Sequence, residues 1–305
     1  MSALLCGLLA CALSAHAATY YVTISGLGGE PDYDQRFKMW AQDIDSSIKK
    51  AGGNAITLIA PNREQIRARL TELANTVKPD DAVVLMLIGH GTYDGVDYKF
   101  NIPGPDITAG ELAAALDRIP GTRQCVVVMT SSSGGAIAAL RKEGRVVIAA
   151  TKSGPEKNAS IFARYWAEAL RDPAADTDKN EAVTALEAFL FAQHKVAAFF
   201  DSEKRLATEH AVLEDTGKGD GERTPDAENG EGRLAGSFTV VRLGANAAAS
   251  RDPAKRDLLA KKEALEQAID KLKYDKAALP AAEYKRQLAG LLLELAKTQE
   301  ALDKP

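Results

Sequence analysis

The chain contains 305 residues, of which 46% are hydrophobic, and its 38 basic and 42 acidic side chains give a net charge of -4. The hydrophobic share supports a folded core and excludes a fully disordered chain or a collagen-like repeat. The nearly balanced charge and a pI of about 5.7 argue against a general nucleic-acid-binding protein, because no basic excess is present to neutralise phosphates.

An uncharged apolar run occupies residues 2–15 and leads into an A-x-A pattern that ends at Ala17, which is typical of signal-peptide cleavage. The run is too short for a membrane-spanning helix, which needs about 20 apolar residues. We therefore predict a signal peptide over 1–17 and a secreted or periplasmic protein without a stable membrane span. A lipid anchor at Cys11 is the less favoured alternative, because a strand predicted to begin at residue 20 leaves no tether.

From residue 20 onward, short apolar runs alternate with amphipathic stretches. Apolar runs predict strands, and apolar residues at three- and four-residue spacing predict helices. The predicted strands are 20–25, 55–59, 81–88, 124–129, 145–150 and 237–243. The predicted helices are 33–51, 63–77, 109–119, 158–170 and 181–200. This alternation predicts an α/β sandwich with right-handed crossovers, in which Cys125 is a buried apolar side chain.

Two later regions differ in composition. Residues 207–236 are rich in Gly, Asp and Glu, which predicts a mobile loop or functional insertion with a solvent-facing acidic stretch over 215–231. Residues 244–252 are mostly small and predict a linker after the α/β domain, 18–243. Leucines then recur every seven residues, which predicts an antiparallel helical hairpin or short coiled coil over 253–305. The hairpin either packs on the α/β domain or provides a surface for self-association.

The segment 176–187 is similar to a calcium-binding EF-hand loop, because Asp176, Asp178 and Asn180 stand at its first, third and fifth positions. The position that needs glycine for a sharp turn holds Glu181. A solvated loop whose acids cap the next helix explains the same residues. The prediction is therefore no metal and no cofactor.

Small, hydroxyl-rich loops follow several of the predicted strands, at 25–29, 89–92, 130–135 and 151–154. Ligands of parallel sheets bind beyond the carboxyl ends of the strands, so these loops predict an open polar crevice at one edge. His90 lies there between two glycines, and Gly91 can bring a backbone N–H close to a substrate oxygen.

His90-Gly91 after an apolar strand, followed by VVVMTSSSGG over 126–135, resembles the caspase/legumain superfamily (clan CD), and in particular bacterial legumain-like proteins of the peptidase C13 type. The resemblance spans about residues 20–243. It implies a three-layer sandwich with a mostly parallel six-stranded sheet, followed here by the C-terminal helical hairpin. On the family's motif, Ser131 stands where the nucleophilic cysteine belongs.

The resemblance also implies roles for individual residues. His90 and Ser131 stand at the catalytic positions, and the backbone N–H groups of Gly91 and Ser131 at the oxyanion site. The substrate pocket is implied at Ser25, Gly26 and Ser153.

The serine determines the functional prediction. A thiol is partly ionised near neutrality, whereas a serine hydroxyl must pass its proton to an adjacent base. The family's histidine is understood to act mainly on the leaving group, so the change from cysteine to serine removes the nucleophile without supplying a base. The G-x-S-x-G pattern of serine hydrolases is also missing around Ser131. We therefore predict a catalytically inactive pseudo-peptidase that binds a peptide or protein.

Three alternatives remain open. The chain is an active endopeptidase or hydrolase that uses Ser131 with His90, or an assembly protein that works through the helical hairpin. In the third alternative the resemblance is superficial and the domain is a flavodoxin-like binding module.

Overall fold

The computed structural model describes residues 17–226 and 229–304. The predicted signal peptide up to residue 16, including Cys11, lies outside the described residues. In chain order the strands are β1 (Thr19–Ser25), β2 (Asn54–Ile59), β3 (Ala82–Gly89), β4 (Gly91–Tyr93), β5 (Tyr98–Phe100), β6 (Ile107–Thr108), β7 (Arg123–Thr130), β8 (Arg145–Ala149), β9 (Ala182–Thr184), β10 (Val212–Glu214) and β11 (Thr239–Arg242). The helices are α1 (Pro31–Lys50), α2 (Arg63–Thr76), α3 (Ala109–Leu116), α4 (Ile137–Leu140), α5 (Phe162–Ala169), α6 (Ala185–Ser202), α7 (Arg233–Gly236), α8 (Gly244–Arg251), α9 (Arg256–Tyr274) and α10 (Ala281–Asp303).

The central sheet has six strands in the order β10-β8-β7-β3-β1-β2. All neighbours are parallel except β10, which is antiparallel to β8. One face packs on α1, α5 and α6, and the other on α2, α3 and α4. The predicted α/β sandwich with a mostly parallel six-stranded sheet is therefore confirmed.

The middle of the sheet explains why its strands are continuously apolar. Every residue of β3 is buried, with Val84 and Met86 facing α1 and α5 while Val83 and Leu85 face α2 and α3. Cys125 in β7 is fully buried, as predicted. A strand covered on both faces gains hydrophobic stabilisation from every side chain, so it needs no alternation.

The sixth strand is not the one that the sequence pattern predicts. The predicted strand over 237–243 is β11, and it pairs with β9 in a separate two-stranded sheet. The sheet is completed instead by β10, which lies inside the segment predicted to be a mobile loop. Its apolar residues, Val212 and Leu213, each enter one of the two cores. A strand this short is too brief for its period to show in a sequence.

The predicted solvent-facing acidic stretch is also wrong at two of its acids. Asp215 and Glu231 are 7% and 5% exposed. The Asp215 carboxylate accepts the N–H groups of Gly232 and Ala235, and Glu231 Oε2 accepts the N–H of Asp215. Asp215 is therefore tolerated in the interior because it satisfies backbone donors at the start of α7, and Glu231 because it satisfies the donor that follows β10.

The C-terminal segment forms the predicted antiparallel pair of helices. Lys255, just before α9, donates from Nζ to the carbonyl of Leu302 near the end of α10. Residues 244–252, predicted to be a linker, instead form α8 over most of their length. Within the described ranges, no helix has both the length and the apolar character needed to cross a bilayer.

Helix α9 is attached to the α/β domain by polar contacts. Arg242 at the end of β11 binds Glu263 through two N–H···O contacts of 2.5 and 2.9 Å. Lys262, which is 6% exposed, donates to the Asn180 carbonyl at 2.9 Å. These contacts favour the interpretation of the hairpin as an arm packed on the domain, and self-association stays a prediction.

Candidate functional site

Strand order brings the predicted site residues to one edge of the sheet. Strands β3 and β7 are neighbours with Gly89 opposite Thr130, so His90 and Ser131 leave the sheet side by side. Strand β8 lies next to β7, and the loop that contains Thr151 follows it. The carboxyl ends of these strands therefore place three of the predicted loops together.

The His90 imidazole is half-buried against helix α1. It lies edge-on to the rings of Tyr33 and Phe37, with centroid distances of 4.8 and 5.1 Å. Burial lowers the pKa of His90 below its usual value, and the Gly28 backbone and the Asp34 carboxylate oppose this only in part. The ring is therefore neutral at neutral pH, which is the form able to accept a proton.

The Ser131 hydroxyl is held on both sides by Gly91. Oγ donates to the Gly91 carbonyl at 3.0 Å and accepts the Gly91 N–H, also at 3.0 Å. Ser131 is 3% exposed, and among the described residues no hydrogen bond joins its Oγ to His90. Of the two N–H groups implied for the oxyanion site, that of Gly91 is thus occupied by the hydroxyl that would have to attack.

The implied pocket residues Ser25 and Gly26 lie at the carboxyl end of β1, of which Ser25 is the last residue. Ser25 is 2% exposed. Gly26 packs directly against the Phe100 ring and the Asn101 carbonyl. A ligand would reach Gly26 only after Phe100 and Asn101 had moved.

Ser153 belongs to a loop that is fixed to its neighbour by hydroxyl groups. The Ser133 and Thr151 hydroxyl oxygens are 3.1 Å apart, and the Thr151 N–H donates to Ser133 Oγ at 2.9 Å. The Thr151 hydroxyl also donates to the Ser153 carbonyl at 3.2 Å. The loops that follow β7 and β8 are therefore held together, and Ser153 is half-exposed with its backbone packed against Gly134.

Ser132 adopts an unusual backbone conformation between β7 and the following 3₁₀ turn. Its φ of 57° lies in the left-handed region of backbone conformation that residues other than glycine rarely adopt. Its Oγ is buried and has no hydrogen-bond partner among the described residues. The Ser132 N–H is anchored to the Glu156 carbonyl at 2.7 Å. Strained backbone of this kind concentrates at functional sites.

The structure adds a histidine that the sequence motif does not include. His210 Nδ1 lies 2.6 Å from Glu156 Oε1, in the loop that holds Ser132. The neighbouring Glu209 is 4% exposed, and burial raises its pKa to about 7. In the sequence the only signal for this placement is the short apolar run that forms β10, because that strand carries His210 to the edge of the sheet.

The EF-hand-like segment holds a compact group of carboxylates. Oxygens of Asp176, Asp178 and Glu187 lie within 4.8 Å of one another. Partial desolvation by its neighbours, followed by the charge of Glu187, raises the pKa of the surface residue Asp178 to about 6. Glu187 closes a capping box with Thr184 at the start of α6, and Asp176 accepts the N–H of Asn180. These bonds favour the helix-capping interpretation.

No family model matches the chain, and no curated protein matches it. Among solved structures it is similar to the Drosophila initiator caspase Dronc, at 11% identity and a TM-score of 0.47 over 66% of this chain and 80% of that chain. It is also similar to caspase-1 from Spodoptera frugiperda, at 12% identity and a TM-score of 0.48 over 66% of this chain and 87% of that chain. At these identities the likeness concerns the fold alone, so the function must be inferred from this chain's own residues.

Proposed function

We propose that the chain is a caspase/legumain-like pseudo-peptidase that binds a peptide or protein segment at the carboxyl edge of the central sheet and does not cleave it. The motif around His90 and Ser131 supports the family, and the loops after β3, β7 and β8 supply the polar edge at which a ligand would bind.

The observation that carries this proposal is the pairing of Ser131 with Gly91. Nucleophilic attack by a serine needs a base in hydrogen-bond reach of Oγ and a free donor for the oxyanion. Here the Ser131 proton points to a backbone carbonyl, and the Gly91 N–H is already bonded to Oγ. Serine at this position is thus a structural link between two strand ends.

A secreted or periplasmic location belongs to the same proposal. The Ala18 N–H lies 2.7 Å from Asp81 Oδ1, and Asp81 is 3% exposed. Cleavage after Ala17 would convert this N–H into an ammonium group facing a carboxylate. Such a charge-assisted contact is stronger than the neutral one, which supports Ala18 as the first residue of the mature chain.

The test compares the natural protein with Ser131→Ala and Ser131→Cys on fluorogenic peptides that vary before the cleaved bond. We expect no turnover by the natural protein and unchanged peptide binding by Ser131→Ala. Ser131→Cys is expected to give cleavage that iodoacetamide blocks and that His90→Ala weakens. Turnover by the natural protein that disappears in Ser131→Ala would instead support the serine hydrolase.

If Ser131→Cys stays inactive and no variant binds peptide, the pseudo-peptidase proposal fails. The assembly alternative then becomes the stronger one, because the exposed side chains of Leu292 and Leu293 on α10 favour it. Light scattering would separate the two. Self-association through α10 predicts a dimer that the double change Leu292→Lys and Leu293→Lys dissociates.

A further inference from the structure

A narrow slot at the same edge of the sheet holds the ring of Tyr93. Tyr93 is the last residue of β4, and its ring packs against Gly135 after β7 and Gly154 after β8. A Cβ atom at Gly135 would lie 2.6 Å from the ring, and one at Gly154 would lie 2.1 Å from it. Cβ atoms essentially never approach another atom within 3.0 Å, so glycine at both positions leaves the room that the ring fills.

Besides this packing, Tyr93 makes one side-chain hydrogen bond among the described residues. Its hydroxyl donates to the Gly95 carbonyl at 2.9 Å, inside its own turn. That turn is at the surface, with Val96 82% exposed and an exposed ion pair between Asp94 and Lys99. Exposed ion pairs stabilise little. The ring is therefore held mainly by its packing in the slot.

The base of the same small sheet is anchored much more firmly. Phe100 is fully buried, and the Tyr98 hydroxyl lies 2.6 Å from Thr130 Oγ1 in the core. Tyr93 can therefore leave the slot by rotating its side chain while the anchored base stays in place. Removal of the ring would expose a cleft between the loops after β7 and β8.

We propose that this slot is a subsite for an aromatic side chain of the bound peptide, and that Tyr93 fills it as an internal competitor when no ligand is present. The inference rests on the proposed peptide-binding function. A flat ring matches the space between the two glycines, as Tyr93 demonstrates. The loop that contains Gly135 also carries Ser132, whose buried hydroxyl has no hydrogen-bond partner among the described residues.

The experiment measures fluorescence anisotropy of labelled octapeptide pools, each with one fixed residue (Phe, Tyr, Trp, Leu or Val) and the others mixed. A side chain that occupies the site weakens the apparent affinity in proportion to the fraction of molecules in which the site is closed. Tyr93→Ala is therefore expected to tighten binding of the aromatic pools by about ten-fold or more. The Leu and Val pools should change little. Tyr93→Phe keeps the ring and should behave like the natural protein.

Further variants separate the subsite from general effects. Gly135→Ala added to Tyr93→Ala should abolish the gain, because its Cβ would enter the slot. Tyr284→Ala removes a partly buried tyrosine from α10 and should change no pool. If Tyr93→Ala does not fold, Tyr93→Leu removes the ring while keeping apolar bulk, and it should give the same aromatic selectivity with a smaller gain.

The outcomes are distinguishable. Binding that does not respond to removal of the Tyr93 ring, or that changes equally for aromatic and aliphatic pools, overturns the subsite and leaves the peptide-binding function standing. Absence of binding to every pool by every variant overturns the peptide-binding function itself, and the subsite with it.

Discussion

Ser131→Ala tests directly whether this hydroxyl is a structural link. The change removes one hydrogen bond to the Gly91 carbonyl and one from the Gly91 N–H, in a place that is 3% exposed. Each hydrogen bond contributes about 0.5–1.5 kcal/mol, so we expect the free energy of unfolding to fall by about 1–3 kcal/mol. A nucleophile in an open cleft would lose far less on the same change, since exposed substitutions usually stay within about 0.5 kcal/mol.

The measurement is urea unfolding followed by circular dichroism, with the free energy of unfolding extrapolated to water. Ser202→Ala is the matched control, because the Ser202 hydroxyl bonds the Phe199 carbonyl at an exposed helix end. It should cost no more than about 0.5 kcal/mol. If Ser131→Ala costs no more than this control, or stabilises the protein, the argument from the Gly91 contacts is refuted.

Three further predictions concern other parts of the molecule. Glu209 has a pKa near 7 when folded and an ordinary value of 4.5, so the folded state keeps a proton that the unfolded chain releases. Release of the Glu209 proton should therefore lower the free energy of unfolding by about 3 kcal/mol as pH rises from 4.5 to 7, and Glu209→Gln should make the pH dependence measured by urea unfolding shallower by that amount. Glu263→Ala removes the partner of Arg242, so amide exchange in α9 should accelerate by about ten-fold or more while the central sheet stays protected. Asp81→Asn should lower the melting temperature more in a protein that begins at Ala18 than in one that keeps a preceding residue, because only the first has an ammonium group beside the carboxylate.

The strands and helices that the sequence predicts well are the long ones, in which many residues are buried. Strand β3 and helix α1 were predictable because their apolar patterns extend over 8 and 20 residues. The adjacency of His90 and Ser131 follows from the same signal, because each comes directly after a buried parallel strand. That adjacency also requires β3 and β7 to be neighbours, which the structure shows and the apolar pattern does not contain.

The strands that the sequence pattern does not predict are short or are held in place by polar groups. Strands β4, β5 and β6 have only two or three residues each, too few for a period to appear. Strand β10 ends in Glu214, a fully buried acid whose Oε1 accepts the N–H groups of Lys218 and Gly219. No hydrophobicity pattern predicts a buried carboxylate, because its burial depends on donors that only the folded turn assembles.

The details of the site depend on directions that a sequence does not contain. Whether Ser131 Oγ points to His90 or to Gly91 is decided by the backbone path of β4 against the end of β7. The slot that holds the Tyr93 ring depends on two glycines in different loops, Gly135 and Gly154, and on the strand pairing that brings those loops together. Single residues at loop tips carry no periodic signal that would reveal either arrangement.

The complete burial of Cys125 has a practical consequence for chemical labelling of the protein. It is the free cysteine of the described residues, it lies in the middle of β7, and burial raises the pKa of its thiol. Maleimide reagents need an accessible thiolate, so a folded protein made to begin at Ala18 should stay nearly unlabelled. A cysteine placed anywhere on the surface would then carry a dye alone, which makes the chain well suited to single-site spectroscopic probes.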